Sequence, residues 1–328
     1  MDPRTHVPTL DDIRNAAARI APYAHVTPVL RSRSLDVLAG CELHFKCESL
    51  QRAGAFKFRG ACNAVWSLDS ALAARGVVTH SSGNHGAALA LAAQTRGIAA
   101  RVVVPANAPR IKLDGIRAFG AEVRLCEPTM AARNAAMTQW QTETHAELVH
   151  PFDDARVIAG QGTAALELLA AVPGLDAVLT PVGGGGLLSG TAIVVRGLVP
   201  GIDIVGAEPR GAADAQASLR EGRCITDQHA DTICDGLRGH LSPLTFGILR
   251  TLGASILDAS DAEIAAAMRL LWERLKLVVE PSSAVPLAAI LHHPERFRGK
   301  RVGVILSGGN VDLDALPWTD HLIPAAAP

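Results

Sequence analysis

Pro181-Val182-Gly183-Gly184-Gly185-Gly186-Leu187-Leu188-Ser189-Gly190 is the stretch on which the fold reading turns. The apolar residues 177–180 before it read as a buried strand, and those from about Leu187 onward as a helix. Glycines between strand and helix let the backbone approach an anion closely. The helix start adds free N–H groups and the positive end of its dipole. A phosphate is the natural guest; a tight strand-to-helix packing turn is the plainer alternative. No Gly-Lys-Ser/Thr follows, which excludes a Walker A loop, and the glycines miss the Gly-x-Gly-x-x-Gly register. Residues 177–195 carry no charge and are long enough to span a bilayer. Pro181 and the glycines would break such a helix in its first half, so a strand, a loop and a helix fit better.

Outward from this loop, strands and helices alternate. Residues 43–47, 77–80, 101–104, 122–125, 148–150, 203–207 and 301–306 also read as strands. Helices are expected from about Phe56, over 84–95, over 109–119 with Pro109 near the first turn, and over 159–171. Ser260 and Glu263 form a capping-box pattern, and Pro281 sits where a first-turn proline would. This is an α/β pattern of βαβ units. A chain of 328 residues has room for about two domains, so two helix-covered parallel sheets are expected. Ligands in such sheets bind beyond the C-terminal strand ends, which directs attention to the loops there.

Composition narrows the function. With 48% hydrophobic and 19% charged residues the chain is a packed one rather than disordered. A net charge of −1 argues against nucleic-acid binding and against docking on an anionic membrane. The six cysteines are scattered without a Cys-x-x-Cys pair and read as reduced thiols of a cytoplasmic protein. The start, MDPRTHVPTLDD, has no apolar core, so a secretory signal is not expected. His-Glu-x-x-His, zinc clusters and Gly-x-Ser-x-Gly are absent.

Four further loops are candidates for chemistry. In Ala55-Phe56-Lys57-Phe58-Arg59-Gly60, Lys57 stands near a helix start between two phenylalanines. Apolar neighbours could desolvate its amine and lower its pKa, as a lysine that condenses with carbonyls requires; a surface lysine is the commoner case. His80-Ser81-Ser82-Gly83-Asn84-His85 brings hydroxyls, an amide and helix N–H groups together, suiting a carboxylate or phenolic oxygen, or simply an N-cap. Ser307-Gly308-Gly309-Asn310 is by itself a common turn. Glu208, the carbonyl of Ala212, and Asp214 could hold a hard divalent cation such as magnesium, manganese or calcium, or form a solvated loop.

Taken in order, these loops resemble the fold type II pyridoxal 5'-phosphate enzymes, and among them the serine/threonine dehydratase and serine racemase group. The resemblance runs from about Asp11 to Asp312. It implies two domains with the cofactor in the cleft between them. Residues 1–50 and 151–328 would form the larger, cofactor-binding domain with Lys57 at its edge, and 60–150 a smaller mobile one. Lys57 matches the lysine that bonds the cofactor, Phe56 the residue beside the ring, and Asn84 the partner of the ring hydroxyl. Gly183, Gly184, Gly185, Gly186 and Leu187 match the phosphate cradle, and Ser307 the hydroxyl facing the pyridine nitrogen. Ser81, Ser82, Asn84 and His85 match the loop that grips the substrate carboxylate, and Arg133 an arginine facing the substrate. Glu208, Ala212 and Asp214 match the cation site of racemase-like members.

Two departures stand out. Ala55 replaces the usual serine, and Phe152 stands where animal racemases carry asparagine. A C-terminal regulatory domain is not seen, so feedback by isoleucine is not expected.

The resemblance implies elimination of water from a small hydroxy amino acid such as L-threonine or L-serine, giving a 2-oxo acid and ammonia, in a homodimer. Serine racemase is the second reading, with Ser82 as the acid/base opposite Lys57. A threo-3-hydroxyaspartate dehydratase is the third. A non-catalytic metabolite-binding relative is the alternative from another class, and the retained Lys57 argues against it.

Overall fold

The computed structural model describes residues 6–81, 83–108 and 110–318. Ten strands are present among them: β1 (Val29–Leu30), β2 (Glu42–Cys47), β3 (Val77–His80), β4 (Ala100–Pro105), β5 (Glu122–Cys126), β6 (Glu147–Leu148), β7 (Ala177–Pro181), β8 (Asp203–Pro209), β9 (Ser255–Ala259) and β10 (Arg301–Leu306). They form two sheets, ordered β1-β2-β10-β7-β8-β9 and β5-β4-β3-β6. Every pairing is parallel except β1 with β2. The expected α/β architecture with two parallel sheets is thus present.

Alternation along the strands of the larger sheet builds a core on each face. Leu43, Phe45, Ala177, Leu179, Val302 and Val304 pack with residues of helices Asp261–Leu275 and Pro281–His292. Val178, Ile204 and Ile305 pack on the opposite side with helices Leu10–Ile20, Ala155–Ala171 and Gly186–Leu198. Burial on both faces explains why these strands read as continuous apolar runs. The Ser260–Glu263 capping box and Pro281 at a helix start are both as expected.

Some boundaries differ. Residues 148–150 do not continue as a strand: β6 ends at Leu148, Val149 N makes one more ladder bond to Val78 O, and His150 turns inward. Pro151 lacks the N–H a further ladder bond requires, and Asp153 N instead donates to His150 Nδ1. The helix expected over 159–171 begins at Ala155, capped by Asp154. The helix expected over 109–119 spans Arg110–Ala118, with Pro109 outside the described residues. All six cysteines are free. Among the described residues no helix is long and apolar enough to cross a membrane, and the uncharged run 177–195 is divided between β7 and the helix Gly186–Leu198.

The helix Lys57–Trp66 packs against the helices Asn84–Arg96 and Ala155–Ala171, and a buried ionic cluster fixes it. Arg59, fully buried, donates through Nε and Nη2 to Glu48 and through Nη1 and Nη2 to Glu167. Lys46 adds a second cation on Glu167, and Thr27 Oγ1 donates to Glu48. Two cations balance two carboxylates, so the cluster carries no net charge. Arg59→Ala would strand Glu48 in a dry site; a loss of about 3–5 kcal/mol is expected in urea unfolding, and an unchanged midpoint would contradict this account.

Candidate active site

The C-terminal ends of β3, β6, β7 and β10 open on one cavity of about 530 Å³. Its lining includes Phe56, Lys57, Ser81, Asn84, His85, Arg133, Gly183 to Leu187, and Ser307. Nearly all of the singled-out residues therefore converge, although Lys57 and Ser307 are 250 positions apart. Ser82 lies outside the described residues. Glu208, Ala212 and Asp214 are not part of this cavity lining.

Lys57 opens its helix, and Phe56 N donates to Ser307 O at 2.9 Å, tying that helix start to the end of β10. The Lys57 amine donates to Pro151 O at 2.8 Å and lies 5.1 Å from the Phe56 ring centroid. Burial without a carboxylate partner pushes its pKa down to about 8.

The glycine loop has no room for side chains. Gly185 has φ +85°, a left-handed conformation that starts the helix Gly186–Leu198. A Cβ on Gly184 would be driven into the Phe152 ring. Backbone N–H groups at a helix start beside a buried amine suit a phosphorylated carbonyl compound.

Asn84 and His85 begin the helix Asn84–Arg96. The Asn84 amide is already engaged: Nδ2 donates to Glu280 Oε1 at 2.7 Å, and Oδ1 accepts from Asn310 Nδ2 at 2.9 Å. His85 Nε2 meets Val149 O at 3.1 Å, so its ring braces the wall.

Sequence reasoning missed several lining residues. Lys112 pairs with Asp235 and so joins the helix Arg110–Ala118 to the turn Asp235–Leu237. Arg238 donates to Thr232 O. Glu280, buried, has its carboxyl pushed up to about 7 by burial, against the pull of Lys112 and Asn84. His80 and His150 are pushed down by burial, to about 4 and about 3; Arg133 adds to the first effect, His80 and Lys57 to the second. The one signal for Glu280 was its place before the first-turn proline 281; for His150, that it precedes a proline at a strand end.

Away from the cavity, Glu208 is fully buried and accepts from Ala215 N and Gln216 N. Burial and the nearby Asp214 push its carboxyl up to about 8, against those two N–H donors. Asp214 accepts from Leu241 N. Among the described residues no group of three or more His, Cys, Asp or Glu side chains is placed to hold a metal ion. The expected set supplies two carboxylates and one carbonyl.

The family model for pyridoxal-phosphate dependent enzymes matches residues 20–308. The beta-hydroxyaspartate dehydratase of Paracoccus denitrificans is 50% identical over 95% of this chain and 99% of its own. The serine racemase of Dictyostelium discoideum is 49% identical over 96% of this chain and 98% of its own. The solved structure of maize serine racemase superimposes with a TM-score of 0.92 at 44% identity, covering 97% of this chain and 98% of its own.

The amine's lowered pKa is directly measurable. In cofactor-stripped protein, trace acetylation of Lys57 followed by peptide mass spectrometry should rise with a midpoint of about 8. Exposed lysines should instead follow about 10.4. A Lys57 midpoint among the exposed lysines would contradict the burial argument.

Proposed function

Because the chain belongs to the pyridoxal-phosphate dependent enzyme family, we propose that it eliminates water from 3-hydroxyaspartate, releasing a 2-oxo acid and ammonia. One observation supports the substrate: besides Lys57, the cavity is lined by Lys112, Arg133 and Arg238, alongside the acids Asp153, Asp235 and Glu280, of which Asp235 pairs with Lys112. L-Serine and L-threonine bring one carboxylate to such a site, whereas hydroxyaspartate brings two and uses its basic lining more fully. Half-identity to a beta-hydroxyaspartate dehydratase across nearly the whole of both chains supports the same choice. Hydroxyaspartate thus moves ahead of serine and threonine, reversing the order expected from sequence.

When bound, pyridoxal phosphate supplies a carbonyl that condenses with amines and a conjugated ring that draws electrons from Cα. The rest falls to the protein. Gly183 to Gly186 with Leu187 would hold the phosphate, and Ser307 would offer a neutral hydroxyl to the ring nitrogen. Phe56 would flank the ring. Ser81, with the N–H groups of Asn84 and His85, would take the α-carboxylate. Arg133 would take the distal carboxylate. Lys57, neutral above about pH 8 and held at Pro151 O, would take the Cα proton as general base. Glu208, Ala212 O and Asp214 would bind a divalent cation that steadies the loop after β8.

Purified holoenzyme should release oxaloacetate from 3-hydroxyaspartate faster than it releases pyruvate from L-serine or 2-oxobutyrate from L-threonine. Lys57→Ala should lower turnover by at least about 10²–10⁴-fold. Preference for serine or threonine would overturn the substrate. Silence on all three, with D-serine formed from L-serine, would move the assignment to racemisation, the reading in which Ser82 takes part. For the cation, Glu208 must ionise before it can bind. The rise in melting temperature caused by magnesium should therefore grow as pH rises through about 8. An equal rise on both sides of that pH would remove Glu208 from the cation site.

A further inference from the structure

The segment after β6 forms a continuous wall of the cavity. Val149 O braces His85, Pro151 O holds the Lys57 amine, and Phe152 covers Gly184. His150, in the middle of this wall, has one ring nitrogen engaged. Nδ1 accepts from Asp153 N at 2.9 Å and lies 3.5 Å from Phe152 N. A nitrogen that accepts must keep its lone pair, so the ring proton sits on Nε2. Nε2 has no hydrogen-bond partner among the described residues, and His150 lines the cavity. Two aromatic neighbours fix the ring plane: Phe152 at 4.7 Å and 83°, and His80 at 5.4 Å and 73°.

We propose that His150 is a fixed, neutral hydrogen-bond donor whose Nε2–H holds an oxygen of the carboxylate carried on the substrate's β-carbon, beside Arg133. The proposal deepens the reading of the cavity as a site for an oxygen-bearing β-substituent. The imidazole keeps its proton throughout, so no bond to hydrogen is made or broken by this residue. Charging the ring would set a cation among Lys57 from one helix, His80 from β3 with Arg133 beyond it, and His85 from the helix Asn84–Arg96. The arrangement therefore selects a dipole rather than a charge. Such a donor favours an anionic or hydroxyl oxygen without titrating in the working range.

Two variants separate this role from acid/base chemistry and from mere packing. His150→Gln keeps an N–H near the Nε2 position but has no ring to protonate, whereas His150→Phe keeps the ring and loses both nitrogens. Succinate and propionate serve as unreactive dicarboxylate and monocarboxylate probes, titrated calorimetrically into holoenzyme. His150→Gln should bind succinate within about threefold of the parent, and His150→Phe about ten- to a hundredfold more weakly. Propionate affinity should be unchanged in both. Nitrogen-15 NMR of the parent, assigned by loss of the signal in His150→Gln, should show a neutral ring protonated at Nε2 at neutral pH.

A proton on Nδ1, a charged ring, a Gln variant as weak as Phe, or a Phe variant as tight as the parent would each overturn the proposal. Lack of turnover with this succinate pattern intact would sink the elimination reading and still support the donor.

Discussion

Lys57 and Arg59 stand two residues apart on one helix, Arg59 fully buried and Lys57 lining the cavity, and are treated in opposite ways. Arg59 meets two carboxylates, Glu48 and Glu167, and its charge is kept. Lys57 meets a backbone carbonyl and an aromatic ring, and its charge is disfavoured. Burial penalises an ion unless an opposite charge accompanies it. The helix thus carries one cation kept by two carboxylates and, two residues away, one amine left without any. Positioning and reactivity come from the same uneven distribution of carboxylates.

The cavity follows from where the strands end. Strands of the two sheets stop around it, and each releases a loop whose N–H groups, carbonyls and hydroxyls converge. The wall 149–153 links the parts, because its backbone touches the amine while its side chains reach the glycine loop and β3. Across the cavity, Asn84, Asn310 and Glu280 bond in series, so the helix after β3 and the turn after β10 share one hydrogen-bonded seam.

Much of this was legible in sequence because the signals are local. A strand, four glycines and a helix leave little choice of geometry, and the boundaries of β3 and β10 fall where the apolar runs end. Lys57, Asn84, Gly183 to Leu187 and Ser307 were found through motifs that lie at strand ends. What stayed hidden depends on contacts between distant segments. Lys112 belongs to an ordinary amphipathic helix until Asp235 is placed opposite it. The turn at Asp235–Leu237 has no periodicity to read. Glu280 looks like a surface acid before its helix, and only burial shows otherwise. Asn84 and His85 line the cavity, yet Asn84's amide and His85's Nε2 are spent on Glu280, Asn310 and Val149. A motif gives a position but not the partner that a side chain will choose.

The close packing of Phe152 on Gly184 sets an order on change. With phenylalanine at 152, any side chain at 184 collides with its ring. A smaller residue at 152 opens that space first. Substitutions at these two positions are thus not independent steps: one path between two variants passes through a strained protein and the other does not. The cavity floor can be remodelled in descent only by altering its roof first.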